Sequence, residues 1–156
     1  MSDIENKIKE LGLELPDAPA AAGNYLPYRM HGDTLYIAGA ITMVNGVLTH
    51  TGKVGDVQTV EDGYEAARVC TLNAIAVMKA ALGDLDRVDK ILLLSGFVNA
   101  VDGFTQAPAV INGASDMLVE IFGEAGKHAR VAVSTSGLPL DTSTEVQITL
   151  AFKDLF

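Results

Sequence analysis

Few residues in this 156-residue chain combine reactive chemistry with a position that could use it. Arg130 opens a β-branched run in which alternation puts Arg130, Ala132 and Ser134 on one face. Val131, Val133 and Thr135 fall on the other. A guanidinium fork flanked by small side chains has room to hold a carboxylate through two parallel hydrogen bonds. A strand-end arginine is also commonly a solvated group or half of a structural ion pair. His128, two residues earlier, could join it or simply cap the exit of a preceding helix. Glu145 opens a second alternating run, with Val146, Ile148 and Leu150 as its apolar set. Its carboxylate is either a functional acid or an ordinary strand end. Tyr25 and Phe104 fall in loops, as cleft-lining aromatics or as core plugs.

Other chemistries find little support. His31, His50 and His128 are far apart, and none has a Cys or carboxylate at ligand spacing, so no metal site is expected. No glycine-rich loop leads from a strand into a helix with phosphate-cradling spacing, and no cofactor is expected. The single cysteine, Cys70, lies among Ala and Val in a helical pattern and reads as a small hydrophobe.

The elements that would position these groups follow from local signals. Ser2 and Glu5 form a capping box for a short helix that Gly12 and Pro16 end, so residues 1–15 read as a helical extension. Pro16 to Gly23 is an extended linker. Residues 25–38 read as two strands about His31-Gly32-Asp33, and Asn45-Gly46 marks a turn in irregular backbone. Thr59 caps a helix that runs to Leu82 and stops at Gly83. Its alanine-rich stripe, with Ala66, Val69, Leu72, Ala76 and Met78, suits close approach to a sheet. Val88 to Val98 reads as a central strand, its run Ile91–Leu94 suggesting cover on both faces. Asp102 to Ala109 reads as loop and Val110 to Phe122 as the second helix.

The order hairpin, helix, strand, helix, strand, strand predicts one α+β domain over residues 1–156. Right-handed crossovers put both helices on one face of a mixed sheet. The other face is then bare unless another copy covers it. With 49% hydrophobic and 20% charged residues and a mean hydropathy of +0.27, the chain has apolar surface to spend on such a contact. A net charge of −9 with scattered basic residues predicts no nucleic-acid partner, and no uninterrupted apolar run predicts a membrane span. The charged, amphipathic start predicts no signal peptide and a cytoplasmic location.

Ala129-Arg130, Leu138-Pro139 and Glu145 together resemble the C-terminal signature of the reactive intermediate deaminases, the YjgF-type or L-PSP family. Gly23-Asn24-Tyr25, Gly39 after a hydrophobic strand, Thr51–Gly55 and the helix 66–73 support the likeness, which spans about Tyr25 to Phe152. His128-Ala129-Arg130 and Val110–Ser115 resemble its chorismate-mutase-like branch. The resemblance implies a homotrimer of chorismate-mutase-like β-α-β-α-β-β folds with clefts between subunits. It implies that Arg130 holds the carboxylate of a 2-imino or 2-enamino acid and that Glu145 positions or activates water. Tyr25 and the backbone at Gly39 would line the cleft; Phe104 and His128, singled out above, and Ala132 are taken with them as candidate substrate-facing residues. This chain departs from the pattern: Ala132 replaces a common cysteine, Ala38 a serine and His128 a proline, and the loop from Phe104 to Asn112 is longer.

The leading functional expectation is an imine deaminase, since a held carboxylate and one oriented water suffice for a substrate that hydrolyses on its own. Next come a binder of a small carboxylated metabolite, a pericyclic mutase, and last a ribonuclease. Arg130 and Glu145 begin successive strands. If these are antiparallel, their starting ends lie on the order of 20 Å apart, so one site using both must draw them from two subunits.

Overall fold

The structure, a computed structural model, describes residues 2–156. It holds α1 (Asp3–Glu10), β1 (Tyr28–His31), β2 (Thr34–Ile37), β3 (Met43–Val44), β4 (Val47–Leu48), α2 (Val60–Leu82), β5 (Val88–Asn99), α3 (Ala107–Phe122), β6 (Ala129–Thr135) and β7 (Thr144–Phe152). Five strands form one mixed sheet in the order β1-β2-β7-β5-β6, while β3 and β4 make a small separate hairpin. β5 and β6 are parallel and joined through α3; β7 runs antiparallel between β2 and β5. This is the α+β, chorismate-mutase-like arrangement expected.

Local chemistry sets α2 to the residue. Thr59 and Asp62 form a capping box at its start, and Gly83 ends it at φ 78° in the left-handed region. α2 is buried nearly all round. Cys70 donates to the Thr144 carbonyl of β7 at 3.4 Å, and burial pushes its thiol up to about 12. That makes it inert packing, not a nucleophile. The expected stripe is partly out of phase: Val69 and Leu72 are only half-buried, whereas Ala67, Cys70, Ala74 and Ile75 are sealed. α3 packs beside α2 and over β5. It begins at Ala107, a turn earlier than the sequence suggests, so much of the segment after Phe104 is helix rather than loop.

The N-terminal extension is tied to the far end of this layer. The backbone amides of Asp3 and Ile4 donate to the Asp86 carboxylate at 3.0 Å each, and Glu5 pairs with Lys79 at 2.8 Å. Ile8 is buried.

The sheet's second face is open. Tyr36, Leu93, Val131 and Val133 are 47%, 44%, 46% and 42% exposed. Register puts them together, since Tyr36 pairs with Thr149, Thr149 with Leu93, and Ser95 and Phe97 with Val131 and Val133. The apolar run in β5 therefore does not mean cover on both faces within this chain. A register shift between Ile91 and Leu93 turns Leu92 and Leu93 both outward. Among the described residues no helix is long and apolar enough to cross a membrane.

Candidate functional site

The residues singled out in the sequence gather into two groups. Tyr25, Gly39 and Glu145 line a cleft of about 360 Å³ between the chain after β2, the N-terminal linker and the loop before β7. Arg130, His128, Ala132 and Phe104 lie along β6 and the adjoining end of α3, on the helix-covered side. No pair drawn from the two groups meets inside one chain.

Gly39 is where the chain leaving β2 passes the Glu145 side chain. The amides of Ala38 and Ala40 on either side bond to Pro27 O and Val146 O at 2.9 and 2.8 Å, which fixes the backbone there. A Cβ on Gly39 would collide with Glu145 Oε2. Glycine thus lets the carboxylate lie across the backbone. Because the obstructed atom is the free end of a side chain, Gly39→Ala should leave thermal stability nearly unchanged yet swing the carboxylate out of the cleft. A crystal structure of the variant and ligand titration would check both halves.

Partial burial holds the Glu145 carboxyl above the usual glutamate range. The sign follows directly. A carboxyl raised by folding costs stability once ionised, and that cost disappears as pH falls through its folded value toward the ordinary one. For the single chain, Glu145→Gln should raise the thermal midpoint at neutral pH, with the difference closing toward about pH 4. An unchanged difference across that range would mean that the ionised carboxylate is not disfavoured.

Other cleft residues have no signal in the sequence. Asn73, on α2, donates its amide to Ile41 O and Met43 O at 2.8 and 2.9 Å and so shapes the wall. Leu140 and Asp141 take φ of 55° and 62°, a conformation costing about 1–3 kcal/mol for residues with a Cβ. Buried Asn99 holds them by donating to Asp141 Oδ1 at 3.0 Å, and the Gly52 amide donates to Asp141 O at 2.9 Å. Lys53 Nζ donates to Asn99 Oδ1 at 3.3 Å and to Ser136 O. The Thr51–Gly55 segment thus presents Pro139 and Leu140 to the cleft.

On the other side, Arg130 Nη1 donates to Ser115 Oγ at 3.0 Å and Nη2 to Pro108 O at 3.3 Å. Two of its five N–H groups are used on α3, and the rest remain for a ligand. Ser134 Oγ donates to Phe104 O at 3.1 Å, which fastens the Phe104 loop to the same face of β6. Among the described residues no three His, Cys, Asp or Glu side chains gather as a metal site.

The register revises the expected geometry. Phe97 of β5 pairs with both Glu145 and Val133, so Glu145 stands level with Val133, three residues along from Arg130. The offset is not a whole strand. Two strand spacings of about 4.8 Å and three residues of about 3.3 Å separate the backbones by roughly 14 Å. Opposite faces do the rest: Arg130 turns toward α3, and Glu145 toward the uncovered side.

Residues 5–152 match the YjgF/chorismate mutase-like family, whose description also carries an endoribonuclease label. The chain is 43% identical over 146 residues to protein TCP17 of Trypanosoma cruzi, covering 92% of this chain and 90% of that protein. Among solved structures, it is similar to protein Atu1372 of Agrobacterium tumefaciens, a protein of unknown function. Identity there is 39% and the TM-score 0.89, over 96% and 93% of the two chains. A Shewanella oneidensis protein labelled an endoribonuclease is 40% identical at TM-score 0.92, over 96% and 99%. Escherichia coli TdcF, solved with bound serine, shares the fold at 22% identity and TM-score 0.65, over 90% and 97%. With the family match spanning nearly the whole chain, this protein belongs to the YjgF/chorismate mutase-like family.

Proposed function

We propose that this protein hydrolyses a 2-imino or 2-enamino acid to the 2-oxo acid and ammonia, without a cofactor, at clefts between the subunits of a homotrimer. One observation carries the reading: Arg130 and Glu145 project from opposite faces of the sheet. Each lies beside surface that a second copy can complete. The exposed Tyr36, Leu93, Val131 and Val133 supply apolar area for that contact.

In such a cleft Arg130 of one subunit takes the substrate carboxylate with its remaining N–H groups. Glu145 of the partner subunit holds a water against the imine carbon. Burial holds its carboxyl above the usual glutamate range, which makes its carboxylate a stronger base. Water adds to the carbon as Glu145 takes its proton and passes it to the imine nitrogen, giving a carbinolamine. The carbinolamine hydroxyl proton then moves through Glu145 to nitrogen as the C–N bond breaks, so ammonia leaves and the 2-oxo acid remains. The cleft around Glu145 is otherwise mostly apolar, walled by Pro19, Ala20, Ile41, Met43, Val77 and Leu140. The preferred substrate therefore carries an apolar side chain.

A second reading is a trimer that binds a carboxylated metabolite without turnover. Ala38 and Ala132, standing where the family pattern has a serine and a cysteine, favour it. A coupled assay separates the two, using enzymatically generated 2-aminoacrylate and longer branched imines with wild type, Arg130→Ala and Glu145→Gln. Acceleration by wild type alone supports the enzyme; tight 2-oxo acid binding with no acceleration supports the binder. At net charge −9, RNA is expected neither to bind nor to be cut.

A further inference from the structure

Two helical hydroxyls in this chain behave differently. Thr71 bonds its own helix, donating to Ala67 O one turn back at 2.8 Å. Ser115 turns outward, with its Oγ 2.9 Å from His128 Nε2 and 3.0 Å from Arg130 Nη1. His128 Nδ1 lies 2.6 Å from the Gly126 carbonyl. A carbonyl only accepts, so Nδ1 carries a ring proton, and in the neutral ring Nε2 presents a lone pair. With the ring neutral, Ser115 donates its hydroxyl hydrogen to Nε2.

Gly126 is held for this task. A Cβ there would meet the backbone carbonyl of Leu118, so only glycine lets the segment lie flat on α3. The imidazole is thereby oriented by main chain rather than by a carboxylate. A hydroxyl, a base within hydrogen-bond reach and a third group fixing that base is the arrangement that activates a serine. The guanidinium on the other side of Oγ favours its anionic form. β6 is an edge strand, and Ser115 and His128 are half-buried rather than sealed.

We propose that Ser115 is a nucleophile, His128 its general base and Arg130 the group that stabilises the developing oxyanion. The site would accept an acyl group from a small ester or thioester. Ser115 Oγ bonds to the acyl carbon while the hydroxyl proton passes to His128 Nε2, and the carbonyl electron pair moves onto oxygen. Collapse breaks the bond to the alkoxide or thiolate, which leaves with the proton from His128. Water, activated by the same histidine, then releases the acid and restores the serine. All three residues belong to one chain, so this inference rests on neither Glu145 nor a partner subunit.

The test uses the full chain with 4-nitrophenyl acetate and, separately, a fluorophosphonate, locating adducts by peptide mass spectrometry. Both reagents should modify Ser115, and fluorophosphonate treatment should block acetylation there. Ser115→Ala should carry no adduct on that peptide. His128→Gln should react at least about a hundredfold more slowly, with circular dichroism confirming that it is folded. Absence of an adduct at Ser115 in wild type would overturn the proposal, whatever the variants do. Equal rates for wild type and folded His128→Gln would overturn it too, leaving the hydroxyl as a structural brace for Arg130.

Discussion

Replacing Arg130 with alanine should weaken binding of a 2-oxo acid by roughly tenfold to a hundredfold while leaving the chain folded. Hydrogen bonds to a charged group contribute about 1.5–3 kcal/mol, and about 1.4 kcal/mol is a factor of ten. The fold should survive because Arg130 contributes little to the core. Its two bonds run to a serine that keeps its histidine partner and to one carbonyl near the start of α3. Calorimetric titration beside a thermal melt measures both quantities. A variant that unfolds would make the arginine structural, and one that binds normally would remove it from the site.

Val131→Asp should break the proposed homotrimer. Val131 stands beside Ser95 on the open face, and its partner row carries Phe97 and Val133. A carboxylate there would be buried against a neighbour without a counter-ion, at about 3 kcal/mol or more per subunit. That is at least a hundredfold in association. In the single chain the same residue is 46% exposed, so folding should tolerate the change. Sedimentation should report folded monomers that have lost ligand binding although Arg130 and Glu145 are intact. A variant that stays oligomeric would place the subunit contact elsewhere.

How far each feature is legible in the sequence depends on whether its cause is local. Both ends of α2 carry their own chemistry, at Thr59 and Gly83, and both are readable. The start of α3 is not, because Gln106 makes no side-chain cap. In β5 the apolar run is visible, but the bulge that turns Leu92 and Leu93 outward depends on pairing with β7. Alternation separates the two faces of β6 and of β7 but does not say which one meets the helices. In β6 the small Ala132 packs inward while Val131 and Val133 are exposed, so the opposition of Arg130 and Glu145 is not legible in the sequence. Nor is the cleft wall. Asn73 and Val77, Leu140, and Pro19 come from three separate segments, and the left-handed turn at Leu140 is imposed by Asn99 and Lys53 from a distance. Ser115 and His128 meet only because the chain doubles back through Gly126.

The shared cleft is tested most directly by mixing. Arg130→Ala and Glu145→Gln chains, each without turnover as a homo-oligomer, are unfolded together and reassembled. If one cleft takes its arginine from one subunit and its glutamate from the next, mixed assemblies contain some clefts with both groups and function returns in part. Mixed assemblies that recover nothing, while both parent chains remain folded and oligomeric, would contradict it.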